Sequence, residues 1–260
     1  MDALPRWIGQ HALVLWAALL ILALLAGDFG WRRARRRRLA ATGKDDYLAL
    51  RPGPALALST LLGAVFVLLL WAVWTQTALL RFDDMLARTL HDSLHPSLLQ
   101  VLAVLTWLGK PLLLVVATAV VALLLAWQRR WRLFVPWCVA LGGTVVCGEA
   151  AKHLVQRIRP FDGHGFVVET GYSFPSGHAM MSMAFFGMLA YLLLRHVLPR
   201  HHRDTVAAAV ALVTFVGFSR VMLQAHYLSD VLAGYALGAF WLVLGIALAE
   251  CLRQGKRDHG

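Results

Sequence analysis

Seven stretches of this chain, roughly 8–27, 55–76, 98–126, 133–154, 177–195, 205–223 and 229–251, are apolar for about the length a bilayer demands. A helix needs about 20 apolar residues to cross the hydrocarbon core. No water is available there to bond backbone amides, and an open strand would leave them unsatisfied, so every stretch predicts a helix. The expected fold is all-α, a polytopic membrane helical bundle. Composition agrees: 15% of residues are charged, against about 25% in soluble domains. The net charge of +11 therefore reads as loop arginines that orient a membrane protein, and no nucleic-acid partner is expected.

The basic residues fix an orientation. Arg32, Arg33, Arg35, Arg36, Arg37, Arg38, Lys44 and Arg51 follow the first stretch; Arg129, Arg130 and Arg132 follow the third; Arg195, Arg200 and Arg203 follow the fifth; Arg253, Lys256 and Arg257 follow the seventh. These make 17 of the 25 Lys and Arg residues, and the positive-inside rule puts them in the cytoplasm. The six arginines follow the first apolar stretch instead of preceding it, which predicts a retained anchor and not a cleaved signal peptide. The chain thus divides into an anchor helix with a basic cytoplasmic connector (1–54), a six-helix core (55–252) and a cytoplasmic tail (253–260). Between the second and third stretches, Leu79, Phe82, Leu86, Leu90 and Leu94 recur at helical spacing. They predict an amphipathic helix over 77–97 that either gates lipid entry or packs on the bundle. Trp71, Trp74, Trp127, Trp131 and Trp137 fall near span ends, as an aromatic belt would. Gly234 and Gly238 form a G-x-x-x-G that predicts a close helix contact. Cys138, Cys147 and Cys251 are read as buried thiols, since nine residues of helix put the first two roughly 13 Å apart.

Three polar pieces sit at the ends of these stretches: Lys152-x6-Arg159-Pro160, Pro175-Ser176-Gly177-His178, and Ser219-Arg220-x5-His226-x3-Asp230. With seven spans, all three reach the same outer face. Lys152, Arg159 and Arg220 run against the charge bias that orders the other loops. Three cations, two histidines and a carboxylate are the groups that phosphoryl transfer uses.

The ordered trio resembles the type 2 phosphatidic acid phosphatase (PAP2) family, which shares its site with vanadium haloperoxidases and some acid phosphatases. The flanks Tyr172-Ser173-Phe174 and Tyr227-Leu228-Ser229-Asp230-Val231 are similar to bacterial members. The resemblance covers roughly 55–250 and implies a PAP2-like six-helix core with residues 1–54 added to it. It implies that His226 is the nucleophile, forming a phosphohistidine, and that Asp230 orients its ring; His178 is implied as the general acid. Lys152, Arg159, Arg220, Ser176 and Gly177 are implied as phosphate ligands, the last two at a helix start where amides and dipole favour an anion. No metal and no cofactor is expected. The implied partner is a lipid phosphate in the membrane: undecaprenyl diphosphate, phosphatidylglycerol phosphate, phosphatidic acid or a lipid A phosphate. A non-catalytic lipid transporter or flippase and a metal-binding membrane protein stay as alternatives. Glu149 either neutralises Lys152 or is structural; Lys110 is either functional or a snorkelling cation; Arg157, His153, Asp162 and His164 either tune the substrate or lie in a solvated loop.

Overall fold

The computed structural model describes residues 3–42, 52–160 and 169–254. Among the described residues the chain is helical, without strands: α1 (Ala3–Gln10), α2 (Ala12–Thr42), α3 (Pro52–Trp74), α4 (Ala78–Ser93), α5 (Pro96–Leu105), α6 (Pro111–Trp127), α7 (Trp131–Val155), α8 (Gly177–Leu193), α9 (His202–Met222) and α10 (Leu228–Gln254). Five segments, Ala12–Arg33, Gly53–Trp74, Trp131–Val155, Pro199–Met222 and Leu228–Arg253, are long and apolar enough to cross a membrane. Pro111–Trp127 and Gly177–Leu193 are apolar but have only 17 residues each. Every predicted stretch thus contains an apolar helix, and the protein is a multi-pass membrane protein.

Four expectations change. The 98–126 stretch is not one helix: α5 stops at Leu105, a 3-10 turn covers Thr106–Gly109, and α6 restarts at Pro111 with Lys110 as its N-cap residue. Proline has no N–H and clashes in a helix interior, but it suits the first position of a new one. The expected connector after the first stretch is helical as far as Thr42, because arginine is a good helix former. Asp28 pairs with Arg32 one turn on and accepts a bond from Arg203 of α9 at 2.7 Å, which ties α2 to the bundle. Residues 43–51 and 255–260 lie outside the described residues, as do Asp162 and His164. Trp71, Trp74, Trp127 and Trp131 are exposed, as a belt requires, but Trp137 is fully buried. Its indole N–H donates to the Thr118 carbonyl at 3.1 Å, so burial leaves no unpaired polar group. Cys138, Cys147 and Cys251 are free; the first two are half-buried and Cys251 is exposed, where buried thiols were expected.

α10 is the central helix and packs on α3, α7 and α8. The close contact predicted from Gly234 and Gly238 is with α8. A Cβ on Gly234 would lie 2.8 Å from the Ser176 carbonyl oxygen, and one on Gly238 would lie 2.5 Å from that of Met180. Trp137, Leu141, Met181, Phe185, Met188 and Leu237 fill the space between α7, α8 and α10. The amphipathic helix expected over 77–97 is α4, and it packs on the bundle. Leu86 and Leu90 are buried with Leu99, Leu102, Met222, Leu223 and Val231, each such side chain contributing about 1.5–3 kcal/mol. α4 is thereby pressed onto the loop between α9 and α10, where the third polar piece lies.

Candidate active site

The polar pieces converge because main-chain bonds join them. α7 ends with Gln156 in the left-handed region (φ 50°), and its N–H bonds the Lys152 carbonyl at 2.9 Å. The chain then turns back, and the Ser173 N–H donates to the Arg157 carbonyl at 2.8 Å. The Ser176 N–H donates to the Asp230 carbonyl at 3.0 Å. These two bonds connect the first piece to the second and the second to the third. Phe174, fully buried beside Val73 and Ala233, anchors the segment between them.

His226 is buried at the centre. Its Nδ1 lies 2.8 Å from the Ser173 carbonyl oxygen. A carbonyl only accepts, so Nδ1 carries the proton and Nε2 keeps its lone pair. That Nε2 lies 3.1 Å from Nη1 of Arg159. Burial pushes the imidazole down to about 4; Asp230 opposes this, and Arg159 adds to it. The ring is therefore neutral at ordinary pH.

Asp230 does not hold the ring as i, i+4 helical spacing predicts. Its Oδ2 stays 3.7 Å from Nδ1 of His226. The reason is local: α10 begins at Leu228, so His226 precedes the helix. Asp230 stands at the third helical position and turns back to accept the Tyr227 N–H at 2.9 Å, as the acidic member of a capping box does. Its carboxylate, fully buried, also accepts from Ser173 Oγ at 2.5 Å and from Arg157 Nη1 at 2.7 Å. The Ser173 residue thus touches His226 through its carbonyl and Asp230 through its hydroxyl.

The cations surround the same point. Arg159 is fixed in plane by the carbonyls of Ala225 (2.8 Å) and Gly171 (3.1 Å). Burial pulls its guanidinium down, with Glu169 and Asp230 opposing. Arg220 is fully buried; its Nη1 reaches Thr106 Oγ1 at 3.4 Å and its Nη2 reaches Glu169 Oε1 at 2.6 Å. The same Glu169 oxygen is 3.8 Å from Nε2 of buried His178. Lys152 pairs with Glu149 at 2.7 Å, and its Nζ lies 3.7 Å from where a Cβ on Gly177 would be. Ser176 is the N-cap of α8 and accepts the Ala179 N–H at 3.4 Å. Its own N–H, expected to face an anion, is instead bonded to the Asp230 carbonyl. Lys110 is exposed, with its ammonium 4.3 Å over the Trp107 ring.

Four residues at the site carry no motif signal. Arg157 is buried, not solvated. It donates to Asp230 and to Ser229 Oγ (both 2.7 Å) and to Asp83 Oδ2 (2.9 Å), with its guanidinium 3.9 Å over the Tyr227 ring. Asp83 of α4 is 1% exposed and also takes the Ser229 N–H at 3.3 Å and the Ser229 hydroxyl. The sequence held a signal for it: with Leu79, Leu86 and Leu90, Asp83 falls on the apolar stripe of α4, where a carboxylate must find a partner. Thr106 is delivered by the break before Pro111. Glu169 follows the undescribed stretch 161–168 and has no periodic context. Among the described residues no group of three or more His, Cys, Asp or Glu side chains is arranged to hold a metal ion.

Residues 133–251 match the PAP2 superfamily. Over 190 residues the chain is 30% identical to phosphatidylglycerophosphatase B of Bacillus subtilis, covering 70% of this chain and 91% of that protein. The chain belongs to the PAP2 superfamily. It is also 41% identical over 139 residues to a lipid A 1-phosphatase of Rhizobium etli, covering 48% of this chain and 56% of that one. The crystal structure of the first transmembrane PAP2-type phosphatidylglycerolphosphate phosphatase, from Bacillus subtilis, superposes with a TM-score of 0.61 at 26% identity, over 77% of this chain and 96% of that chain. The three polar pieces of this PAP2 chain lie within the matched residues, on a helical frame similar to that of a solved family member.

Proposed function

We propose that the chain is an integral membrane phosphatase that hydrolyses a phosphomonoester or diphosphate on a lipid through a phosphohistidine intermediate. The observation that carries this reading is His226: a buried, neutral imidazole whose unprotonated Nε2 faces Arg159. Nε2 attacks phosphorus. His178 gives a proton to the departing oxygen and then takes one from the water that releases phosphate from His226. Lys152, Arg159 and Arg220 hold the phosphoryl oxygens, where charge spreads in the transition state. Ser176 caps α8 so that Gly177, which has no side chain, lets phosphate approach the helix start. The Ser173 carbonyl fixes the His226 tautomer, and Asp230 supplies the nearby negative charge that favours the ring once it becomes cationic.

The reaction needs no metal on this reading, because side-chain cations supply the positive charge and would repel a metal ion. The lipid class is supported by the bilayer-spanning frame and by relatives named for lipid phosphates. Undecaprenyl diphosphate, phosphatidylglycerol phosphate, phosphatidic acid and lipid A phosphate all fit. The loop charges orient the site toward the outside of the bacterial inner membrane. Residues 55–252 form the catalytic core, with 1–54 as anchor and connector and 253–260 as tail. The test is phosphate release from a panel of lipid mono- and diphosphates by detergent-purified protein. His226→Ala should insert in the membrane and release no phosphate; near-normal turnover by that variant would defeat the mechanism, and an inactive wild type would favour the transporter reading.

A further inference from the structure

We propose that Asp83 is a positioning residue for the reaction: through Arg157 it sets the charge that Asp230 presents to His226. The proposal rests on His226 being the phosphorylated residue. Arg157 lies forked between two buried carboxylates, Asp83 at 2.9 Å and Asp230 at 2.7 Å. Two carboxylates against one guanidinium leave a net single negative charge beside the imidazole. That surplus is what a cationic phosphohistidine requires. Without Asp83, the Arg157 cation would cancel Asp230, and the ring would gain no net counter-charge when it bonds phosphorus. Asp83 is built to be ionised: its oxygens accept from Arg157 and from both the N–H and the hydroxyl of Ser229, a set of donors with no proton to receive. Burial disfavours the Arg157 charge, but Asp230 and Asp83 outweigh it and push the guanidinium up. Burial holds the Asp83 carboxyl above its ordinary value and Asp230 adds to this, while Arg157 and Ser229 oppose it.

The network also explains why α4 sits where it does. A second polar tie holds it to the same loop: Gln224, at φ 54°, donates to the Ala87 carbonyl at 3.1 Å and meets Nδ1 of His91 at 3.0 Å. α4 therefore grips the segment that carries His226 from both sides of Leu86. The tie at Asp83 brings a carboxylate. The titratable groups around Arg157 include Asp83 from α4, Asp230 from α10 and the Tyr227 phenol from the loop, with Asp84 of α4 bonded to that phenol and lining the same cavity as Arg157. His226 additionally faces Arg159, Arg220 and His178.

A charge balance and a packing role predict opposite outcomes for a double variant. Asp83→Asn keeps the shape and removes the surplus charge, so kcat should fall about tenfold or more with KM little changed. Arg157→Gln keeps an amide donor for Asp230 and removes the cation. Asp83→Asn combined with Arg157→Gln restores one net negative charge, and its kcat should exceed that of Asp83→Asn alone. Each enzyme is purified in detergent and assayed on a short-chain lipid phosphate, with His226→Ala alongside. Asp83→Asn turning over within twofold of wild type, or the double variant slower than Asp83→Asn, overturns the inference while an inert His226→Ala leaves the phosphohistidine reading standing. An active His226→Ala or an inactive wild type overturns both. Should Asp83→Asn alone fail to fold, the comparison of the double variant with wild type decides: both leave one net negative charge in the triad, so their kcat values should agree within about threefold, and a loss of about tenfold or more refutes the charge balance.

Discussion

Replacing Gly238 with alanine is predicted to damage the site from a distance of several turns. The added Cβ would lie 2.5 Å from the Met180 carbonyl oxygen, 2.9 Å from Met183 Cβ and 3.2 Å from the Met180 carbonyl carbon. Two of these three atoms are backbone and cannot rotate away, so α8 and α10 must part by about 1 Å to reach ordinary contact. Overpacking of this kind costs about 1–3 kcal/mol. The displacement does not stay local. The Met180 N–H bonds the Ser176 carbonyl at 3.0 Å, and the Ser176 N–H bonds the Asp230 carbonyl at 3.0 Å, so the opening carries into the contact between the second and third polar pieces. A misplacement of about 1 Å in a reacting constellation costs about 100-fold in rate. The control is Gly142→Ala in α7, where nothing lies within 4 Å of the new Cβ. Helix propensity alone should stabilise that variant by about 0.5–1 kcal/mol. Thermal unfolding in detergent and kcat on a lipid phosphate are measured for both. Equal unfolding midpoints and equal kcat for the two variants would refute the claim that α8–α10 contact sets the geometry of the site.

Two further outcomes can be checked. Glu169→Gln removes the carboxylate that pairs with Arg220 at 2.6 Å and stands 3.8 Å from His178; vanadate should then inhibit about fivefold more tightly, and unchanged or weaker inhibition would show that Glu169 does not compete for the anion site. Because the His226 imidazole sits near 4 against about 6.5 in an unfolded chain, the unfolded state takes up the proton first as pH falls. The stability this ring contributes is whole above pH 6.5 and is lost on descent through about pH 4, amounting to about 3 kcal/mol. Denaturant unfolding of wild type and His226→Gln across that window should converge, and parallel curves would contradict a depressed imidazole.

The sequence carried the frame and most of the site because both rest on strong, local signals. Apolar runs of bilayer length leave helices as the only economical solution, and the stretches contain α2, α3, α6, α7, α8, α9 and α10. The motif residues stood out as charges at span ends. What escaped was three-dimensional partnership. Arg157 looks like any loop arginine until Asp83 and Asp230 close around it, and a helical wheel of α4 hides the fact that its stripe carboxylate is satisfied by α10. The i, i+4 relation of His226 and Asp230 misled because it presumed helix where the chain had not yet begun one. The run from 98 to 126 is apolar throughout, so hydropathy passed over a break that Gly109-Lys110-Pro111 encodes in backbone chemistry.

The two main-chain bonds that join the polar pieces, Ser173 N–H to the Arg157 carbonyl and Ser176 N–H to the Asp230 carbonyl, have a consequence for how such a protein can diversify. Neither bond depends on which side chain its residues carry, short of proline. Mutational drift in the lipid-facing walls can therefore reshape what the protein accepts while the spacing of its reactive groups is inherited unchanged. The architecture separates the part of the molecule that varies from the part that reacts, and it does so in the peptide backbone.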